Sequence, residues 1–324
     1  MMFSFDTARL TFRLKDLSTY RSELKGWSIL WIMMLHFRFI TVKPLGFIAQ
    51  YGFAGVEIFI FVSGLGLYYS LLKHPSVGAF YLKRAKRIFP TYYLIGIIAS
   101  LWLFHDTLLS YFFRYTTIGF WTEGLFFTWY IPSIVMLYLL TPVIFRWLLH
   151  HRIVAGSVCI SIIILSYFVA KYQRLSGEHY FFLYRIPAFI GGMLCGKLIQ
   201  EGGSSRTFLL LAVLGIPFFA VFLPLHHSIY MFKYYALFFL LPAFMVVICT
   251  GSKLLGRFNT VIRRIGEASL EIFLIQTLFF SAFCSGRFSV PDSWHDISTI
   301  ALIIGCSVMG IALHQVMGRI KFLQ

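Results

Sequence analysis

Gly52-Phe-Ala-Gly-Val-Glu57-Ile-Phe-Ile-Phe-Val-Ser63-Gly-Leu-Gly-Leu-Tyr-Tyr-Ser-Leu-Leu-Lys73 decides the fold class. Apart from Glu57 and the closing Lys73, every residue in it is apolar, aromatic or small. A helix needs about 20 such residues to cross a hydrocarbon layer of about 30 Å. A strand of this length would be exceptional. The segment therefore predicts a transmembrane helix.

Similar stretches recur on both sides, near 26–42, 88–105, 124–145, 153–170, 182–200, 207–224, 230–250, 267–285 and 297–317. With 52–73 they predict an all-α, polytopic integral membrane bundle of about ten transmembrane helices. Composition agrees. The 324 residues are 59% hydrophobic and 19% aromatic, with only 12% charged and a mean hydropathy of +0.80, against about 25% charged in a soluble domain. No polar linker divides the apolar runs, so the expected organisation is a cytoplasmic N-terminal segment, 1–25, and a single membrane domain, 26–324. Residues 1–25 are polar and mixed in charge, unlike a cleaved signal peptide, and the first helix is expected to be a retained anchor.

The net charge of +16 does not read as nucleic-acid binding, which gathers basic residues on a solvated face. Here they flank apolar runs, the pattern that orients membrane proteins with the excess inside. With the N-terminus inside, 20 of the 28 Lys and Arg residues fall on the inner side. Both termini are therefore expected to be cytoplasmic, in the cell (cytoplasmic) membrane. The densest inner loop, Lys83-Arg84-Ala85-Lys86-Arg87, reads equally as a topology determinant and as a site for an anionic ligand. Cys159, Cys195, Cys249, Cys284 and Cys306 are scattered through apolar stretches without a CxxC or zinc spacing, so they read as small buried hydrophobes and no metal is implied. Prolines inside spans, Pro132, Pro142, Pro187, Pro217 and Pro242, fit helices that break beside a polar cavity.

Ionisable groups within spans are costly, about 2.5 kcal/mol or more each on insertion scales, and are the natural candidates for function. His36, Glu57 and Glu271 are the clearest, with His314 near an inner end. Spans one and two run in opposite directions, which brings His36 and Glu57 to similar depth below the outer surface. A carboxylate beside an imidazole fixes its tautomer and suits it to act as a base on a hydroxyl; the plainer reading is a buried pair that locks two helices. Lys25 stands eleven residues before His36, about 16 Å along a helix. That distance matches a long thioester arm whose phosphates would rest on Lys25, Arg84 and Arg87. Ser63 and Gly64 allow either close helix packing or passage of a narrow ligand, with packing the stronger reading. Tyr138 and Arg185 rise above the aromatic background as substrate-binding candidates, whereas Glu271 is expected to pair with an inner-loop arginine such as Arg264.

These residues together resemble the acyltransferase 3 family of bacterial membrane acyltransferases, also called OafA-like O-acyltransferases. Arg21-Ser-Glu-Leu-Lys25-Gly26 followed by the apolar run to His36 is similar to the family's first-helix signature. Gly55 to Gly64 resembles its second-helix motif, with Glu57 at a position where aspartate is usual. Phe80 to Pro90 resembles its basic loop, with Arg84 and Arg87 on an Arg-x-x-Arg pattern. Trp129-Tyr130-Ile131-Pro132 with Tyr138, Arg185-Ile186-Pro187, and Ser269 to Gln276 resemble later segments, although histidine is common where Gln276 stands.

The resemblance implies acetyl-CoA as the usual donor and a hydroxyl of an extracytoplasmic or lipid-linked saccharide, of the exopolysaccharide or capsule type, as acceptor. Glycan-assembly proteins are the implied partners, with membrane lipids around the bundle. His36, oriented by Glu57, is expected to act as the base on the acceptor hydroxyl, with a covalent acyl-imidazole as the variant. The rival readings are a transporter or flippase for a lipid-linked saccharide, for which broken helices around a midplane site are equally natural, and a non-catalytic assembly subunit.

Overall fold

The computed structural model describes residues 11–37, 43–123, 129–150, 157–158, 160–165, 168, 180–222, 232–287, 289–291 and 294–320. All regular structure among them is helical. The longer helices are α1 (Arg21–His36), α2 (Ala54–Lys73), α3 (Val77–Ala99), α4 (Tyr130–His150), α5 (Ile186–Gln200), α6 (Ser205–Phe222), α7 (Phe232–Leu254), α8 (Gly256–Glu267), α9 (Ser269–Cys284) and α10 (His295–Arg319).

Among the described residues six helical stretches are long and apolar enough to cross a membrane: α2, α3 with the wider turn Ser100–Phe104, α4, Phe181–Gln200, Leu237–Leu254 and α10. A seventh forms if α8 and α9, bent by 70° at their junction, count as one span. This is a membrane helical bundle, with six or seven such stretches where ten spans are expected from hydropathy. The expected span 26–42 corresponds to α1, whose 16 residues begin with Arg21, Glu23 and Lys25. The run at 207–224 is apolar over Ser205–Val221 only, and half of 153–170 lies outside the described residues, as does Cys159.

α1 sits at the centre, with α2, α7, α8 and α9 around it. α2 is buried on nearly every side, so its near-continuous apolar run is an interior helix; α10 instead presents Ile300, Ile304 and Val308 outward. Small residues set the crossings. A Cβ on Gly192 of α5 would stand 1.9 Å from the Phe61 carbonyl oxygen of α2, and one on Gly64 would stand 2.2 Å from that of Phe189. The α1–α8 crossing is built likewise, with Gly266 against the Ser22 carbonyl and Gly26 against that of Ile262. Without a hydrophobic drive between helices in lipid, such backbone approach supplies the packing. Gly64 thus serves packing while its neighbour Ser63 faces a cavity.

The basic cluster Lys83–Arg87 departs from the sequence expectation. It is the third turn of α3, capped by the Ser76 hydroxyl accepting from Ala79 N, and it does not form a loop. Helical spacing lets Arg84, Arg87 and Ile88, at i, i+3 and i+4, point into the bundle together.

Candidate functional site

A cavity of about 600 Å³ opens at the end of the bundle where α1 begins. Among the described residues six cationic side chains line it, Arg21 and Lys25 from α1, Lys73 from α2, and Lys83, Arg84 and Arg87 from α3, and no carboxylate does. Arg21 and Arg87 repel the Lys25 ammonium, while Glu267 and Glu271 partly offset them. Like charges gathered around one void favour an anionic occupant, and the volume is that of an ordinary small-molecule site.

From this rim the cavity runs between α1, α2, α4 and α9. Ser63 and Tyr138 line its wall with Tyr130, and Ile32, Val56 and Phe273 line it further in. The Ser63 hydroxyl lies near the phenol groups of both Tyr130 and Tyr138. Arg84 donates to Ser70 Oγ at 3.1 Å and leaves its buried Nε without a hydrogen-bond partner among the described residues. Lys25, Arg84, Arg87, Ser63 and Tyr138 are therefore brought together around one void.

His36 is the last residue of α1 and lies one turn beyond Ile32. Its Nδ1 stands 2.7 Å from Gln276 Oε1, and its ring stacks on Phe280 at 4.6 Å between centroids. Thr299 of α10 holds the end of this helix by donating to the Phe37 carbonyl at 2.7 Å.

Glu57 is placed otherwise. Its Oε1 lies 3.4 Å from Nε of Arg185, and both side chains are 1% exposed. No described residue, His36 included, donates a hydrogen bond to either carboxylate oxygen. The register of the two helices explains the difference from the sequence expectation. Gly52 meets α1 at Trp31 and Leu35, and Gly55 meets it at Ser28 and Ile32. Continuing that antiparallel run puts Glu57 level with Ser28, eight residues or about 12 Å along α1 from His36. Hydropathy alone sets helix one at 26–42, whereas α1 ends at His36. Arg185, at the start of α5, is not in the cavity lining; it faces Glu57 and lies over the rings of Trp129 (5.0 Å) and Phe181 (5.7 Å).

Arg87 carries a second tie. Its guanidinium grips the buried Glu271 carboxylate with two nitrogens, Nη2 to Oε2 at 3.0 Å and Nη1 to Oε1 more closely still. His314 Nδ1 approaches Oε1 of the same carboxylate at 3.3 Å. Glu271 thus pairs with Arg87 and His314, where the sequence suggests Arg264, which is exposed on α8 beyond the 70° bend between α8 and α9. Arg87 and Arg84 also line a second basic cavity of about 540 Å³, shared with Lys86 and His314.

Sequence reasoning missed Gln276 as the partner of His36, and Arg21 as a rim cation. Both leave a signal in the sequence. Arg21 and Lys25 lie four apart on one helical face, and Gln276 is a polar side chain inside the apolar run 267–285.

No curated protein and no solved structure matches the chain. The model of a family described as an acyltransferase domain matches residues 24–321, which takes in α1 with His36, the basic turns of α3 and the Gln276 helix. A family model that covers almost the entire bundle, with all of the site but the rim residues Arg21 and Ser22, shows that the chain belongs to the acyltransferase 3 family of membrane acyltransferases.

Proposed function

We propose that this acyltransferase resides in the cytoplasmic membrane as a bundle of about ten spans with both termini cytoplasmic, and O-acylates a glycan. Its donor is acyl-CoA, acetyl-CoA foremost, and its acceptor is a hydroxyl of an extracytoplasmic or lipid-linked saccharide such as an exopolysaccharide or capsule unit. The observation that carries the reading is the continuity of one cavity from a rim of six cations to within a turn of His36.

In this reading Lys25, Arg84 and Arg87 hold the donor's phosphates by charge-assisted hydrogen bonds, with Arg21 beside them. The thioester arm follows α1 past Ser63 and Tyr138, over the ~16 Å that separates Lys25 from His36. His36 accepts the proton of the acceptor hydroxyl as that oxygen bonds to the acyl carbon. The carbon–sulfur bond breaks, and the departing thiolate recovers the proton. The buried Glu57–Arg185 pair, flanked by Trp129, joins α2 to the start of α5 and is assigned to holding these helices beside the cavity.

The test is purified protein in lipid nanodiscs supplied with acetyl-CoA and glycan extract, with free thiol and acetylated glycan measured together. Both products are expected from wild type, with a loss of roughly 10³-fold or more in His36→Ala, within the range of acid–base catalysis. A correctly folded His36→Ala protein with wild-type turnover would sink the assignment. Surface glycans that are depleted but unmodified in cells lacking the gene would point to transport instead.

A further inference from the structure

Three consecutive hydrogen bonds lead away from the His36 ring. His36 Nδ1 lies 2.7 Å from Gln276 Oε1, Gln276 Nε2 lies 3.0 Å from Thr277 Oγ1, and Thr277 Oγ1 lies 2.8 Å from the carbonyl oxygen of Phe273 one turn back on α9. Gln276 is fully buried, and Thr277 nearly so.

The direction of this chain follows from counting hydrogens. The Phe273 carbonyl can only accept, so the single hydroxyl hydrogen of Thr277 points to it. Thr277 Oγ1 is then left to accept, and what faces it must be the amide NH₂ of Gln276. The other end of that amide, its carbonyl oxygen, is therefore turned to His36. An oxygen that can only accept requires a hydrogen on Nδ1, and a neutral imidazole with hydrogen on Nδ1 carries its basic lone pair on Nε2. Stacking on Phe280 fixes the plane of the ring in which that lone pair lies.

The geometry points to Gln276 as the positioning residue that holds His36 in the Nδ1–H tautomer, with Thr277 setting the direction of the amide. The inference rests on the acyltransferase reading above. It gives the orienting work that a carboxylate beside an imidazole would do to a neutral amide from α9. A neutral partner orients the ring without tying a fixed negative charge to it, so no buried countercharge needs compensation when the proton moves on.

The experiment compares Gln276→Met, which keeps the length of the side chain and removes the strong acceptor, with Gln276→Glu, which restores an oxygen at that position. kcat and the donor KM are measured in nanodiscs, with thermal midpoints as the check on folding. Gln276→Met is expected to lose roughly 10²-fold in kcat, as general acid–base contributions allow, with the donor KM unchanged, and Gln276→Glu to recover most of the loss. Thr277→Val, which keeps the shape and frees the amide to turn over, is expected to lose about tenfold through partial mis-protonation, and Thr277→Ser to be close to wild type. These hydroxyl variants carry the test if Gln276→Met does not fold. Wild-type kcat in Gln276→Met or in Thr277→Val overturns the inference while leaving the acyltransferase reading in place. Equal losses in Gln276→Met and Gln276→Glu also overturn it, because the acceptor oxygen would then be irrelevant. A wild type that releases no thiol from acetyl-CoA defeats the parent reading, and this one with it.

Discussion

A guanidinium with 1% of its surface exposed is tolerated inside an apolar bundle only beside a counter-charge and polarisable neighbours. Arg185 has Glu57 at 3.4 Å and the faces of Trp129 and Phe181. Glu57→Gln removes that counter-charge and is expected to destabilise the protein by about 3–5 kcal/mol, whereas the double change Glu57→Leu, Arg185→Met should recover most of it. Thermal unfolding in detergent measures both, and equal losses in the single and double variants would count against the pair. At this scale the sequence told which residues matter better than it told which of them meet. Glu57 and His36 stand out because charge and imidazole are rare in spans. Their separation depends on how far α1 extends past the start of α2, which is set by tertiary contacts such as Gly52 on Trp31, and no local periodicity encodes it.

Between elements, the glycine crossings bear the load. Phe61 O and Phe189 O face each other's helices across Gly192 and Gly64, and a backbone carbonyl cannot swing aside as a side-chain tip can. Gly192→Ala is therefore expected to cost at least the ~1–3 kcal/mol of ordinary overpacking, read as a lower thermal midpoint and reduced yield of monodisperse protein. Gly305→Ala in α10, where an added Cβ meets nothing within 4 Å, is the matched control and should be neutral or slightly stabilising. Apolar runs were legible for most helices because length and hydropathy are local properties. The helical state of Lys83–Arg87 was not, because a charge run between two spans looks like a loop until Ser76 is recognised as a cap ahead of it. α8 escaped for a related reason. It is too polar to register as a span, and its burial through Ile262, Ile265 and Gly266 depends on α1 lying across it.

For the whole molecule, the distribution of charge is the main organising fact. Six cations line the cavity mouth, and Arg87, with Glu271 on two of its nitrogens, is the most strongly neutralised of them. Arg84, which has Ser70 as its hydrogen-bond partner and a buried Nε without one among the described residues, is the better placed to meet an incoming phosphate. Arg84→Gln is expected to raise the donor KM about tenfold with little change in kcat, consistent with the loss of one charge-assisted hydrogen bond. Wild-type KM should also rise with ionic strength, less steeply in the variant. Steady-state kinetics at two salt concentrations checks both, and a KM indifferent to salt and to Arg84 would move the donor elsewhere.

The shortness of α1 has an electrical corollary. Its 16 residues rise only about 24 Å, against a hydrocarbon layer of about 30 Å, and the cavity reaches from its first turn to Ile32, one turn before its last residue. Where a cation-lined recess enters so far, a larger share of the transmembrane voltage falls across the part of the layer beyond Ile32. A potential of 100 mV is worth about 2.3 kcal/mol per elementary charge over the whole membrane. Falling over that shorter distance, the same voltage gives a steeper gradient around the imidazole than the surrounding bilayer has on average. In the orientation proposed here, with the cytoplasm negative, that gradient drives an anionic donor toward His36.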